Sequence, residues 1–217
     1  MSIYDLSFDI ETGMPTCGTP WHQTVEVSQM GKIDSVGRNT HRIVLGSHSG
    51  THLDAPYHFI GSGVTVENLD INLMWGKATV VDFRSKGAGR KVNLDDVKKI
   101  EVKERLIFVF GWYHNWKTDN YYKDFPYFET DAVEYLINKG MKVMALDTPS
   151  PDDGGFIGKS AGADSPNHVM LLKNNILIIE YLNNTDILVG GREYDFIALP
   201  LKVKGSDGSP ARVLVRE

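Results

Sequence analysis

Cysteine is almost absent from this chain of 217 residues, which contains Cys17 and no other cysteine. A single thiol cannot form an intrachain disulfide, and it cannot supply the several thiolates of a zinc ribbon. Disulfide-stapled secreted scaffolds and zinc ribbons are therefore excluded. Any metal that the chain binds is therefore expected to be held by nitrogen and oxygen atoms.

Long apolar runs and basic charge are also scarce. The longest aliphatic run covers residues 176–179, whereas a helix needs about 20 apolar residues to cross a bilayer. The first fifteen residues carry acidic side chains but no Lys or Arg, unlike a secretory or organellar leader. The net charge of −5 disfavours the electrostatic capture of nucleic acid. We therefore expect a cytoplasmic protein that binds a small molecule and neither membranes nor nucleic acid.

Segments with strand character dominate the sequence, and the length favours a single domain over residues 1–217. Asn93 and Thr130 are candidate N-caps of two helices, and a third, short helix would open at Ser165 with Pro166 in its first turn. These features predict a β-rich α/β fold with a mixed sheet. The predicted strands are residues 3–8, 24–27, 42–45, 78–83, 106–110, 142–146, 176–179, 196–203 and 211–215, and the first two helices are residues 93–100 and 130–139.

Histidines cluster in one short segment. The pattern His-x3-His-x-Asp-x3-His is formed by His48, His52, Asp54 and His58. All four positions are even-numbered, so a single extended run would place them on one face. Gly50 and Pro56 would interrupt such a run, but they also allow bends that bring ligands together.

Imidazole and carboxylate groups at this spacing suit zinc, manganese or iron. The carboxylate of Asp54 has two oxygens, so it can bridge two metal ions. A lone loop histidine would be interpreted as a surface residue, but four ligand-type side chains in phase favour a metal centre.

The segment HSGTHLDAPYH at residues 48–58 resembles the signature of the metal-dependent cyclase family, which includes bacterial kynurenine formamidase and isatin hydrolase. Further similar segments cover much of the chain, at residues 3–7, 13–15, 145–150, 197–202 and 209–212. The resemblance implies a swivelling β/β/α domain, two divalent metal ions, a hydrolytic activity and a homo-oligomer, either a dimer or a tetramer.

The resemblance also implies ligands from a second segment, a histidine followed twelve residues later by Glu or Gln. His168 and Glu180 have this spacing. Taken alone, they would be interpreted as an exposed helical histidine and a strand-end residue in solvent. However, a carboxylate directly after four aliphatic residues is costly to bury unless it is paired or bound to a cation.

These features together predict a binuclear centre. Zinc is the first candidate for the metal, and manganese is the second. The first ion would be held by His48, His52 and Asp54, and the second by Asp54, His168 and Glu180. His58 would be the proton shuttle, although it could also be a ligand. A metal-bound hydroxide would attack an amide or lactam carbonyl.

The resemblance favours an arylformamidase-like amidohydrolase acting on a substrate of the N-formylkynurenine type. The alternatives are an isatin hydrolase-like lactam hydrolase, a polyketide-type cyclase or dehydratase, and a non-enzymatic module that binds a metal or small ligand.

The substrate pocket is less well determined by the sequence. Residues 17–22 depart from the Pro-Gly-Asp stretch of many relatives, and this segment tends to line the pocket in the family, so Trp21 is a candidate pocket residue. Nearly half of the aromatic residues fall between positions 108 and 128. They predict either a segment anchored on the core or at a subunit interface, or a pocket wall that includes Trp112 and Trp116.

Residues 158–162 match the G-x-S-x-G pattern of serine hydrolases. That pattern requires a strand before the serine and a helix after it. The flanking sequence predicts loops on both sides, so no serine nucleophile is predicted here.

Overall fold

The computed structural model describes residues 2–156 and 164–217, so the G-x-S-x-G segment lies outside the described residues. In the described part of the chain the strands are β1 (Ile3–Asp5), β2 (Glu26–Gly31), β3 (Thr40–Val44), β4 (His52–Asp54), β5 (Trp75–Asp82), β6 (Lys91–Val92), β7 (Arg105–Val109), β8 (Tyr127–Phe128), β9 (Val143–Leu146), β10 (Leu177–Glu180), β11 (Glu193–Pro200) and β12 (Gly208–Arg216). The α-helices there are α1 (Ile33–Val36), α2 (Leu94–Val97), α3 (Thr130–Asn138) and α4 (Pro166–Lys173).

One mixed sheet organises the molecule, with the strand order β1-β12-β11-β5-β7-β9-β10-β4. Strands β5, β7, β9 and β10 are parallel neighbours, whereas β4, β11 and β12 pair in antiparallel fashion. Strand β4 also pairs with the beginning of β12, which closes the sheet into a barrel-like form. The β-rich α/β class with a mixed sheet is therefore confirmed.

Two apolar cores lie on opposite faces of the closed sheet because successive strand side chains alternate between faces. Leu53, Ile107 and Ile179 belong to the inner core. Phe108 and Ile178 belong to the outer core, which also contains residues of α3 and α4. Since Leu53 faces inward, its neighbours on β4 face the side on which α4 packs.

Each predicted strand overlaps an observed strand, with shifts at the ends. The predicted cap Asn93 is confirmed, because its side chain accepts a hydrogen bond from the backbone N–H of Asp96 in a capping box. Thr130 is wrong as a cap, since Glu129 holds the N-cap position of α3 without a side-chain cap bond. Ser165 holds the N-cap position of α4, also without a side-chain cap bond.

The aromatic segment at residues 108–128 forms much of the outer core. Its fully or largely buried members are Phe108, Phe110, Trp112, Tyr121, Phe125 and Phe128. Trp112 donates its indole N–H to the backbone carbonyl of Tyr121. These side chains therefore anchor the segment on the core.

An arm formed by β2, α1 and β3 lies apart from the closed sheet, because β2 and β3 form a two-stranded sheet of their own. It exposes large apolar side chains, namely Met30, Ile33, Val36 and Ile43. Across residues 2–156 and 164–217, the helices lack the length and apolar character needed to cross a membrane.

Asp147 connects the carboxyl ends of the parallel strands β7 and β9 through hydrogen bonds. This fully buried carboxylate accepts hydrogen bonds from the backbone N–H groups of Phe110 and Gly111 and from the hydroxyl of Thr185. An unsatisfied buried polar group costs about 1–3 kcal/mol. We expect Asp147→Ala to lower the free energy of unfolding by about 3 kcal/mol or more, because three donors lose their acceptor.

Urea denaturation followed by circular dichroism measures this change. Asp195→Ala is the matched control, because Asp195 pairs with Lys77 and Arg216 on the surface, and surface pairs contribute little. Equal shifts of the two unfolding midpoints would contradict the role assigned to Asp147.

Candidate metal centre

The register of β4 assembles the first part of the centre. In the pairing with β10, Glu180 lies opposite His52 and Ile178 lies opposite Asp54. Directly opposed residues share a face of the sheet, so the carboxylate predicted from the second segment meets the histidine motif. Glu180 Oε2 lies 3.4 Å from Nε2 of His52. Both side chains are almost completely buried.

The motif is interrupted at Gly50 and Pro56, as the sequence predicts, and does not form one extended run. Only His52 and Asp54 lie on β4, whereas His48 occupies the preceding turn and His58 ends a short 3₁₀ helix. The bends fall at Gly50, which has φ +61°, and at Pro56, which opens the 3₁₀ helix. They still bring the side chains together. Nδ1 of His48 lies 2.7 Å from Oδ1 of Asp54, and the ring centroids of His48 and His58 are 3.9 Å apart.

Helix α4 delivers His168 to the same place. Asp152 caps this helix from a distance, since its carboxylate oxygens accept the backbone N–H groups of Asn167 at 2.7 Å and His168 at 3.0 Å. The same carboxylate accepts Nδ1 of His168 at 2.7 Å. The other ring nitrogen, Nε2, then lies 3.1 Å from Glu180 and 3.4 Å from Asp54.

Two carboxylates that the sequence analysis did not select orient the imidazoles. Asp152 holds His168, and Asp207 lies 2.8 Å from Nε2 of His48 and 3.0 Å from Nδ1 of His58. Neither stands at a recognisable spacing from the motif, so no local signal marks them. His52 is held by its own segment, since its Nδ1 donates to the carbonyl of Gly50 at 2.8 Å.

Burial and charge oppose each other in this cluster. Burial by itself raises the pKa of the Asp54 carboxyl, but the neighbouring imidazoles hold that pKa well below its usual range. Burial raises the pKa of Glu180, and the ring of His168 partly offsets this. For His48, burial lowers the pKa, but Asp54 and Asp207 together raise it to about 10. The protons that these shifts keep on His48 and Glu180 would be displaced by a cation bound between the same groups.

The donor set fits divalent metal ions. With one nitrogen of each ring committed outward, the inward nitrogens of His48, His52 and His168 all face the oxygens of Asp54 or Glu180. Asp54 Oδ1 and Glu180 Oε1 are buried, and neither accepts a hydrogen bond of acceptable geometry from any described residue. Nitrogen lone pairs that face carboxylate oxygens repel them unless a proton or a metal cation lies between the two atoms, and a bound cation can replace the protons.

The ligand atoms form two groups, and within each group all atoms lie within 4.8 Å of one another. One group is formed by His48, Asp54 and His58, and the other by His52, Asp54 and Glu180. Asp54 is common to both, as a bridging role requires. His58 joins the first group, so its ring lies within reach of the same ligand atoms.

The predicted pocket residues occupy different environments. Trp21 is 70% exposed. Trp112 is buried in the outer core, whereas Trp116 is partly buried and stacks on Phe8 at 4.2 Å. The segment containing Trp21 does approach the centre, because the ring of His22 stacks on that of His48 at 5.8 Å.

Comparisons with known proteins show which family this chain is similar to. The family model described as "Putative cyclase" matches residues 4–153. A kynurenine formamidase of Geobacillus thermodenitrificans is 30% identical over 192 residues, which cover 88% of this chain and 86% of that protein.

Solved structures share the fold. An isatin hydrolase bound to the product analogue thioisatinate superimposes with a TM-score of 0.87 at 24% identity, covering 98% of this chain and 91% of its own. A "predicted metal-dependent hydrolase" of Bacillus stearothermophilus has a TM-score of 0.74 at 27% identity, covering 99% of this chain and 97% of its own. Because the family model spans more than half of the sequence, and the relatives align along most of it, this chain belongs to the cyclase family.

Proposed function

We propose that this chain is a metal-dependent amidohydrolase acting on a carbon–nitrogen bond other than a peptide bond. The observation that carries the proposal is the convergence of three imidazole nitrogens on the buried carboxylates of Asp54 and Glu180. Oδ1 of Asp54 and Oε1 of Glu180 accept no hydrogen bond of acceptable geometry from the described residues. Mixed imidazole and carboxylate ligands suit zinc first and manganese second.

The proposed assignment uses two ions. His48, His52 and Asp54 would hold one ion, and Asp54, His168 and Glu180 would hold the other. Divalent ions in such a site supply Lewis acidity, which polarises a carbonyl group and makes water more acidic. The fixed outward hydrogen bonds of the histidines keep the ligand nitrogens aimed inward, so little reorganisation is needed on binding.

His58 is proposed to transfer protons during hydrolysis. Burial lowers the pKa of its ring, an effect that the hydrogen bond to Asp207 partly opposes, so the neutral ring is available to accept a proton. Its side chain is 21% exposed, whereas the side chains of the five proposed ligands are at most 9% exposed. It could therefore reach a substrate that the buried ligands do not contact.

The substrate class is proposed from the relatives. Kynurenine formamidases at about 30% identity favour an N-formyl aryl amide, and the fold of an isatin hydrolase keeps a lactam as the second candidate. Both reactions add water. A panel containing an N-formyl arylamine, a cyclic lactam and a cyclisable polyketide-type substrate, followed by mass spectrometry, separates hydrolysis from dehydration. Loss of water from the substrate would contradict the proposal.

We expect Asp54→Asn to abolish the binding of both ions, because the amide lacks the charge of the bridging carboxylate. The expected stoichiometry falls from two divalent ions per chain to fewer than one, as measured by plasma mass spectrometry after gel filtration. Activity on the hydrolysed substrate should be lost in parallel, and a chelator should inactivate the unmodified protein.

The matched control is Asp186→Asn, which alters a histidine–aspartate pair of 2.8 Å on the surface, outside the centre. This variant should retain both ions. Retention of two ions by the Asp54 variant would exclude the bridging role.

His58→Ala should retain its metal but lose turnover. Removal of a general acid–base group lowers kcat by about 10²- to 10⁴-fold, whereas loss of a ligand would lower the metal content. Metal analysis and steady-state kinetics on the same preparation distinguish the two roles. Depletion of one ion in this variant would make His58 a ligand instead.

We also propose a homo-oligomer, dimer or tetramer, that buries the arm. The exposed apolar side chains of this arm are typical of a surface covered by another subunit. Ile43→Asp should reduce the molar mass measured by light scattering, since it places a charge in the contact. Ile71→Asp is the control, because Ile71 is 71% exposed but lies outside the arm. A monomeric unmodified protein would refute this proposal.

A further inference from the structure

One oxygen atom of Asp207 serves two histidines of the centre. Oδ2 lies 2.8 Å from Nε2 of His48 and 3.0 Å from Nδ1 of His58. The two rings lie 3.9 Å apart and are tilted by 33°. A shared acceptor restricts both rings at once, because neither can rotate without losing its bond to the same atom.

The backbone around Asp207 is fixed by contacts that do not involve its side chain. Its carbonyl accepts the N–H of Ala55 at 2.9 Å, and Gly208 lies opposite Asp54 in the pairing of β12 with β4. A Cβ atom at Gly208 would approach Cε1 of His48 to 2.7 Å. The backbone at Gly208 therefore packs directly against the ring of His48, and any residue with a Cβ atom at this position would clash with that ring.

The hydrogen bonds also determine which ring nitrogens carry protons. An ionised carboxylate only accepts hydrogen bonds, so Asp207 places an N–H on Nδ1 of His58 and on Nε2 of His48. The opposite nitrogen of His58, Nε2, then carries the lone pair of the neutral ring. That of His48, Nδ1, is the atom that faces Asp54.

We propose that Asp207 is a positioning residue for hydrolysis. It orients His58 and selects the tautomer in which Nε2 exchanges protons with water and with the leaving nitrogen. This inference rests on the proposed function of the centre. It adds a residue far along the chain from the histidine motif, which acts through the rings it holds.

The first test is independent of activity. Zinc-loaded protein labelled with ¹⁵N-histidine is studied at pH 8 by long-range ¹H–¹⁵N correlation, and His58→Ala identifies the signals of His58. We expect the Nδ1–H tautomer in the unmodified protein and a shift toward Nε2–H or a mixture in Asp207→Asn. Asp186→Asn should leave the signals of His58 unchanged. Unchanged His58 signals in the Asp207 variant would overturn the proposal.

The second test separates positioning from a structural role. At saturating zinc we expect Asp207→Asn to lower kcat by about 10- to 100-fold, the range typical of residues that orient metal-centre side chains, while KM changes less than about threefold. In a His58→Ala background the same substitution should lower kcat much less, because only the bond to His48 remains to be lost. An unchanged kcat, or a full additional loss in that background, would count against action through His58.

The two tests also separate this inference from the proposed function. If the unmodified protein hydrolyses nothing on the panel, the proposed function fails, and the tautomer measurement alone decides whether Asp207 orients His58.

Discussion

The pairing of β4 with both β10 and β12 is the interaction on which the rest of the structure depends. This strand has only three residues, yet it closes the sheet. The same pairings set Glu180 opposite His52 and Gly208 opposite Asp54. A slip of one residue would turn Leu53 out of the inner core and place His52 and Asp54 in it. Apolar burial and assembly of the centre therefore require the same register.

The centre carries a large desolvation cost that its own residues only partly offset. Two carboxylates are buried within a few ångströms of three imidazoles, and buried charges need partners. Each proposed ligand histidine directs one nitrogen outward, to Gly50, Asp152 or Asp207. This arrangement leaves the inward nitrogens and the carboxylate oxygens free to act as the proposed ligands of a divalent cation.

The regular part of the fold could be predicted from the sequence because its signals are local. Alternating or continuous apolar residues mark the longer strands, and Asn93 marks its helix through a capping box. The same approach missed β4, since a three-residue strand containing His and Asp has no apolar pattern to detect. Local signals also predicted a cap at Thr130 that α3 does not have. They could not indicate the cap of α4, because it comes from Asp152, a residue outside the helix.

The sequence by itself determined which side chains are available to the candidate centre, namely imidazoles and carboxylates, one of which is able to bridge. It also determined the resemblance to the cyclase family. Only the tertiary structure decided how those ligands are oriented. His48 meets Asp207 across 159 positions of sequence and His168 meets Asp152 across 16. Spacing along one strand or helix turn indicates which side chains share a face. Contacts between separate segments arise instead from strand register and helix packing, which local patterns do not encode.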